Sequence, residues 1–179
     1  MARALNFNPF VPTGPTTKRG MMTRVLRASA VFAAALFASV TWAQTATVDH
    51  LSQADILAKA QQIAPQAADT GIATIKLSEY PGHYTMIALR TKSGVAEIHE
   101  EFADFLFVVR GKATLVTGGT VPDSKTVSPG ELRGASVQGG SNISLAVGDV
   151  VHIPAKVPHQ LLLAGHGEFV YFVIKVKEQ

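Results

Sequence analysis

A chain of 179 residues, 47% of them apolar, holds one ordinary domain and a leader but not two full domains, and it has enough apolar surface to exclude global disorder. Its formal charge of +3 comes from the leader: Arg3, Lys18, Arg19, Arg24 and Arg27 all precede the first acid, Asp49. From Gln44 onward 11 Lys and Arg face 13 Asp and Glu, about −2, so the basic pI is no argument for a nucleic-acid partner, and the absence of cysteine excludes disulfides, thiolate catalysis and zinc-finger sites.

Residues 1–20 carry Pro9, Pro12, Gly14, Pro15 and Gly20 with no apolar period, and read as a disordered segment or an over-long start ahead of Met21 and Met22. Residues 21–43 read as a signal peptide. Arg24 and Arg27 make the positive end, Ala28 to Val40 an apolar run of 13 residues, and Thr41 and Ala43 the small residues before a cleavage site at Gln44. The run is short for a membrane span; a retained anchor is the alternative. No twin-arginine pair precedes it, so export unfolded to the periplasm or the medium is expected, with no membrane association after cleavage.

Residues 44–70 read as an N-terminal extension, flexible over 44–50, with one helix. Ser52 and Asp55 form a capping-box pattern, Ile56, Leu57, Ala60 and Ile63 recur at helical spacing, and Pro65 is expected to end the helix. Residues 71–179 change to strands: 72–77, 84–90, 95–99, 105–109, 113–117, 143–147, 150–153, 159–163 and 169–176, with Gly/Pro turns between. Residues 118–142 are glycine-rich and read as loop with one short strand pair at most. Many short strands at regular spacing imply an all-β sandwich or barrel.

The chemistry gathers at Glu97-Ile98-His99-Glu100-Glu101-Phe102-Ala103-Asp104. Glu97 and His99, two apart, share a strand face, and Asp104 follows after a short break; together they form a ligand grouping for a divalent cation. His159 opens a later strand after Gly148 and Pro154. The competing readings are ordinary ones: Glu97 paired with Arg90 or Arg110, Asp104 as a turn cap, His159 bonded to backbone. His152 reads either as an acid/base at a barrel mouth or as an outward-facing side chain. Phe105, Phe107, Phe169, Tyr171 and Phe172 read as core and dimer packing, and Arg90 and Arg133 as possible anion handles.

These two stretches resemble the two motifs of the cupin superfamily, in its small single-domain, type-2 or AraC-type form. The first motif runs Gly, five residues, His-x-His, three or four residues, Glu, six residues, Gly. Counting back from Gly111 puts Asp104 at the Glu position, His99 at the second His and Glu97 at the first, with Gly94 displaced from the opening glycine. The second runs Gly, five residues, Pro-x-Gly, two residues, His, three residues, Asn. Gly148, Pro154 and His159 fit in register, while Lys156 replaces the Gly and Leu163 the Asn.

The resemblance implies a double-stranded β-helix (jelly-roll) barrel with the short helix outside it, a homodimer, and a divalent transition metal (Mn, Fe, Ni, Zn or Cu) held by Glu97, His99, Asp104 and His159. Asp104, one methylene shorter than Glu, either ligates the metal or orients His99. Two carboxylates and two imidazoles would make the loaded site formally neutral and the metal a weak Lewis acid. The implied activity is dioxygenase, isomerase or lyase chemistry on a small molecule. The alternative is a non-enzymatic module that binds a small ligand, its metal site degenerate or structural.

Overall fold

A computed structural model describes residues 48–178. The segment 1–20, the expected signal peptide at 21–43 and residues 44–47 lie outside the described residues. Among the described residues no helix is long and apolar enough to cross a membrane.

The helix α1 (Gln53–Thr70) starts at the expected cap: the Ser52 side chain accepts from the Asp55 backbone N–H, and the Asp55 carboxylate accepts from the Ser52 N–H at 2.9 Å. It does not stop at Pro65. Proline removes one intrahelical bond, but the apolar face runs on through Ala64 to the fully buried Ala67. The end comes at Gly71, left-handed at φ +89°, whose N–H bonds to the Ala67 carbonyl. The alanines past Ile63 are weak sequence signals that packing makes decisive. Just before the helix, Asp49 is tied down by the Ser78 hydroxyl at 2.6 Å and by the Tyr80 hydroxyl.

Eleven strands follow: β1 (Ile72–Tyr80), β2 (His83–Arg90), β3 (Ala96–His99), β4 (Phe102–Arg110), β5 (Ala113–Thr117), β6 (Lys125–Ser128), β7 (Glu131–Gly134), β8 (Ser141–Leu145), β9 (Val150–Ile153), β10 (His159–Leu162) and β11 (Phe169–Lys177). All pair antiparallel, in a five-stranded sheet ordered β1-β2-β11-β4-β9 and a six-stranded sheet ordered β6-β7-β3-β10-β5-β8. This is the expected all-β double-stranded β-helix barrel with one helix. The strand pair inside the glycine-rich stretch is β6 and β7. The break before Asp104 is present but shorter than expected: Glu100 and Glu101 separate β3 from β4, which begins at Phe102 and takes Asp104 into its ladder.

Side-chain alternation divides the five-stranded sheet between two cores. Ala88, Leu106, Val108, Phe169, Tyr171 and Val173 face the other sheet and meet Leu115, Leu145 and Leu161 there. Ile87, Leu89, Val109 and Val170 face outward and are covered by Ala60, Ala67 and their neighbours on α1. At Gly111 the chain turns with φ +83°, so close to β11 that a Cβ would lie 2.1 Å from the Glu168 carbonyl oxygen. Only glycine serves there, which accounts for its place after six intervening residues beyond Asp104.

Candidate metal centre

Cross-strand registers assemble the site. His159 on β10 lies opposite Glu97 on β3; Arg133 and Glu131 on β7 lie opposite Glu97 and His99; Lys175 on β11 lies opposite Asp104 on β4. Directly opposed residues on one sheet face have their side chains in contact, so these registers alone bring the charged groups of five strands to one end of the barrel interior. They line a cavity of about 360 Å³ whose far wall is apolar, formed by Met86, Ala88, Leu106, Leu161 and Val173.

The two imidazoles present the same nitrogen to it. His99 Nδ1 donates to the Glu131 carboxylate at 2.7 Å, and His159 Nδ1 donates to the Val157 carbonyl at 3.0 Å. A neutral ring in this tautomer presents its Nε2 lone pair inward. His99 Nε2 is buried with no hydrogen-bond partner, 3.3 Å from Asp104 Oδ2 and 3.7 Å from Glu97 Oε2. His159 Nε2 is 3.9 Å from each of the same two oxygens.

Lone pairs and carboxylates that face each other in a buried space repel unless a cation lies between them. Donor atoms sharing one divalent ion at about 2.0–2.2 Å lie about 3–4 Å apart. Glu97, His99 and His159 meet this, with their ligand atoms all within 4.8 Å of one another, so the residues present fit a divalent metal. Glu131 behind His99 fixes its tautomer in the manner usual for metal-binding histidines.

Asp104 is pulled the other way. Its Oδ1 is 2.6 Å from Lys175 Nζ, a buried charge contact whose angles are not those of a hydrogen bond. Glu97 is held by Arg90 Nη2 at 3.1 Å and, more loosely, by Arg133 Nη2 at 3.7 Å.

Burial would raise the Glu97 carboxyl, but Arg133, Arg90 and the two histidines outweigh it and hold it below the usual carboxylate range. Burial acts likewise on Asp104 and is outweighed by His99 and Lys175. Burial pushes His159 down against the pull of the Val157 carbonyl and the carboxylates, which favours the neutral, ligating ring. Tyr171, whose hydroxyl accepts from Arg90 Nε at 2.9 Å, is pushed up by burial and stays a neutral phenol.

The structure therefore brings Glu97, His99, Asp104 and His159 to one point. It also makes the Arg90–Glu97 pair that sequence offered as the ordinary reading; Arg110 pairs instead with Glu168 at 2.8 Å. His152 is elsewhere: it lies opposite Phe105 on the outer face of the sheet and stacks on that ring, with centroids 4.3 Å apart. Glu100 and Glu101 are exposed.

Glu131, Lys175 and the inward role of Tyr171 escaped the sequence reading. Lys175 carried a usable signal, since it shares the period-2 face of Tyr171 and Val173 in an otherwise apolar strand. The neutral loaded site expected from the four ligands is also revised. Arg90, Arg133, Lys175 and Glu131 border the same cavity, so its total with a divalent ion is about +2.

The second motif keeps its shape without its glycine. Lys156 adopts φ +67°, and its N–H bonds to the His99 carbonyl at 2.7 Å, tying the loop before His159 to the strand that carries His99. Gly94 lets Arg90 lie flat beneath it, since a Cβ would stand 2.5 Å from Arg90 Nη1.

Strand order and donor set together describe a double-stranded β-helix barrel with a candidate metal centre. No protein-family model matches the chain, and no curated protein matches it in sequence. Among solved structures it is similar to the DMSP lyase DddQ from Ruegeria pomeroyi DSS-3, at 16% identity and TM-score 0.44, over 61% of this chain and 49% of that one. It is similar to a double-stranded β-helix protein from Klebsiella pneumoniae, at 13% identity and TM-score 0.45, over 60% and 78% of the two chains. A cupin-2 domain from Rhodospirillum rubrum gives 13% identity and TM-score 0.44, over 61% and 62%. The match thus spans about half the length of the lyase.

Proposed function

We propose that this protein is an exported, metal-dependent barrel enzyme that moves a proton on a small molecule, in an isomerase or lyase type of reaction. The observation that carries the reading is the convergence of two imidazole Nε2 atoms and two ionised carboxylates, all contacts 3.3–3.9 Å, on one buried point beside a cavity. Glu97, His99 and His159 would hold the ion, chosen from Mn, Fe, Ni, Zn and Cu, with Asp104 completing the set or bridging to Lys175. When bound, the ion supplies polarisation of a substrate oxygen. The Asp104–Lys175 pair stands at the cavity wall, and the phenols of Tyr84 and Tyr171 border the same space as candidate proton carriers. The apolar wall excludes water and shapes the pocket.

The test is metal content after folding with each of the five ions in turn. One equivalent in the wild type, and loss of it in His159→Ala, supports the reading; no stoichiometric ion under any condition ends it. A second reading, a metal-free ligand-binding module, is favoured by one observation: three cationic and three anionic side chains already balance around the cavity. Turnover of any substrate that requires the ion decides against it.

Residues 21–43 support export to the periplasm or the medium, tested by fractionation of cells expressing the full chain. Apolar side chains exposed on the surface, Val150 at 59% and Val147 at 56%, support a homodimer, tested by light scattering.

A further inference from the structure

The cavity is charge-balanced before any ion enters. Arg90, Arg133 and Lys175 stand against Glu97, Asp104 and Glu131, while both imidazoles have their Nδ1 protons committed elsewhere. A divalent ion alone would leave about two positive charges in a space walled by barrel strands, where uncompensated charge is costly.

The three cations are not equivalent. Arg90 is 6% exposed, with its Nε on Tyr171 and its Nη2 on Glu97. Lys175 is buried against Asp104. Arg133 has a side chain 29% exposed; its Nη1 contacts Glu131 and the Leu132 carbonyl, its Nη2 lies 3.7 Å from Glu97 without a hydrogen bond, and its Nε has no contact among the described residues, which leaves the Nε–Nη2 edge of the guanidinium open. Such a planar fork beside a metal site matches a carboxylate.

We infer that the ligand of this cavity is a small carboxylate held by Arg133, and that it and the divalent ion bind cooperatively, each supplying the charge the other lacks. The inference rests on the metal-binding reading above and goes beyond it, because the coupling must be reciprocal: the ion tightens the carboxylate by the factor with which the carboxylate tightens the ion.

The experiment follows Mn(II) binding to the purified protein by electron paramagnetic resonance, in sodium acetate, in sodium chloride at equal ionic strength, and with acetamide as the neutral isostere. Acetate is expected to tighten Mn(II) about tenfold, within the usual range of coupled sites, while acetamide and chloride leave it unchanged. Arg133→Gln should bind Mn(II) more tightly than wild type in the absence of acetate, because a repelling charge is gone, and lose the acetate effect; Arg133→Lys should retain part of it. A purely structural role for Arg133 would not move these two readouts in opposite directions. One equivalent of Mn(II) bound with equal affinity in all three media, or an equal effect from chloride, overturns the inference and leaves the metal reading standing. No binding of Mn(II), or of Zn(II) in a competing-chelator titration, with or without acetate, removes both. If Arg133→Gln does not fold, the wild-type comparison of acetate with acetamide and chloride decides alone.

Discussion

The two faces of the five-stranded sheet follow the same alternation and end in opposite chemistry. On β2, Ile87 and Leu89 point to α1 while Met86, Ala88 and Arg90 point into the barrel; on β11, Val170 and Phe172 point out while Tyr171, Val173 and Lys175 point in. The outer face is apolar where α1 covers it. The inner face is apolar at one end and carries buried charges at the other. The difference teaches that stability and chemistry are separated by a single residue step along each strand, so mutations on neighbouring positions should fall into different classes.

The largest effect is expected at Lys175→Ala. It leaves Asp104 buried without its cation and should cost about 3–5 kcal/mol in urea unfolding of the metal-free protein. Added Zn(II) should recover part of the loss, since Asp104 is then released toward the ion; no recovery would show that Asp104 acts only through Lys175. Leu89→Ala, fully buried under α1, should cost about 2–5 kcal/mol while leaving metal stoichiometry unchanged. If it also empties the site, the two faces are not separable. Glu131→Gln should weaken metal binding about 10- to 100-fold with little loss of folding stability, read by chelator competition. The smallest effect is a gain: Lys156→Gly relieves a left-handed non-glycine backbone and should stabilise by about 1 kcal/mol, measured as a shift in the urea midpoint.

The barrel was legible because its strands alternate and its turns carry glycine or proline, and Glu97, His99 and His159 because motif spacing fixes both their strand and their face. Asp104 was legible as a residue but not as a strand position, since the break at Glu100 and Glu101 hides that the next strand resumes already at Phe102. The charges around the ligands were hidden for a different reason. Glu131 is 32 residues from His99 and Lys175 is 71 residues from Asp104, and only strand register makes either a neighbour. Arg133 and Arg90 looked alike in the sequence; what separates them is that Gly94 and Tyr171 enclose one and not the other. Pro65 misled because local propensity was weighed without the packing of Ala67.

The strand furthest along the chain among the described residues is the middle strand of its sheet: β11 hydrogen-bonds to β2 on one side and β4 on the other along nearly its whole length. Until residues 169–177 have emerged, β1-β2 and β4-β9 are two fragments with open inner edges, and Asp104 has no lysine opposite it. The barrel therefore cannot close before residues 169–177 have emerged, and such non-local pairing is slow even then. A stop codon anywhere before Phe169 would remove the keystone of the sheet and the only lysine of the site at one stroke.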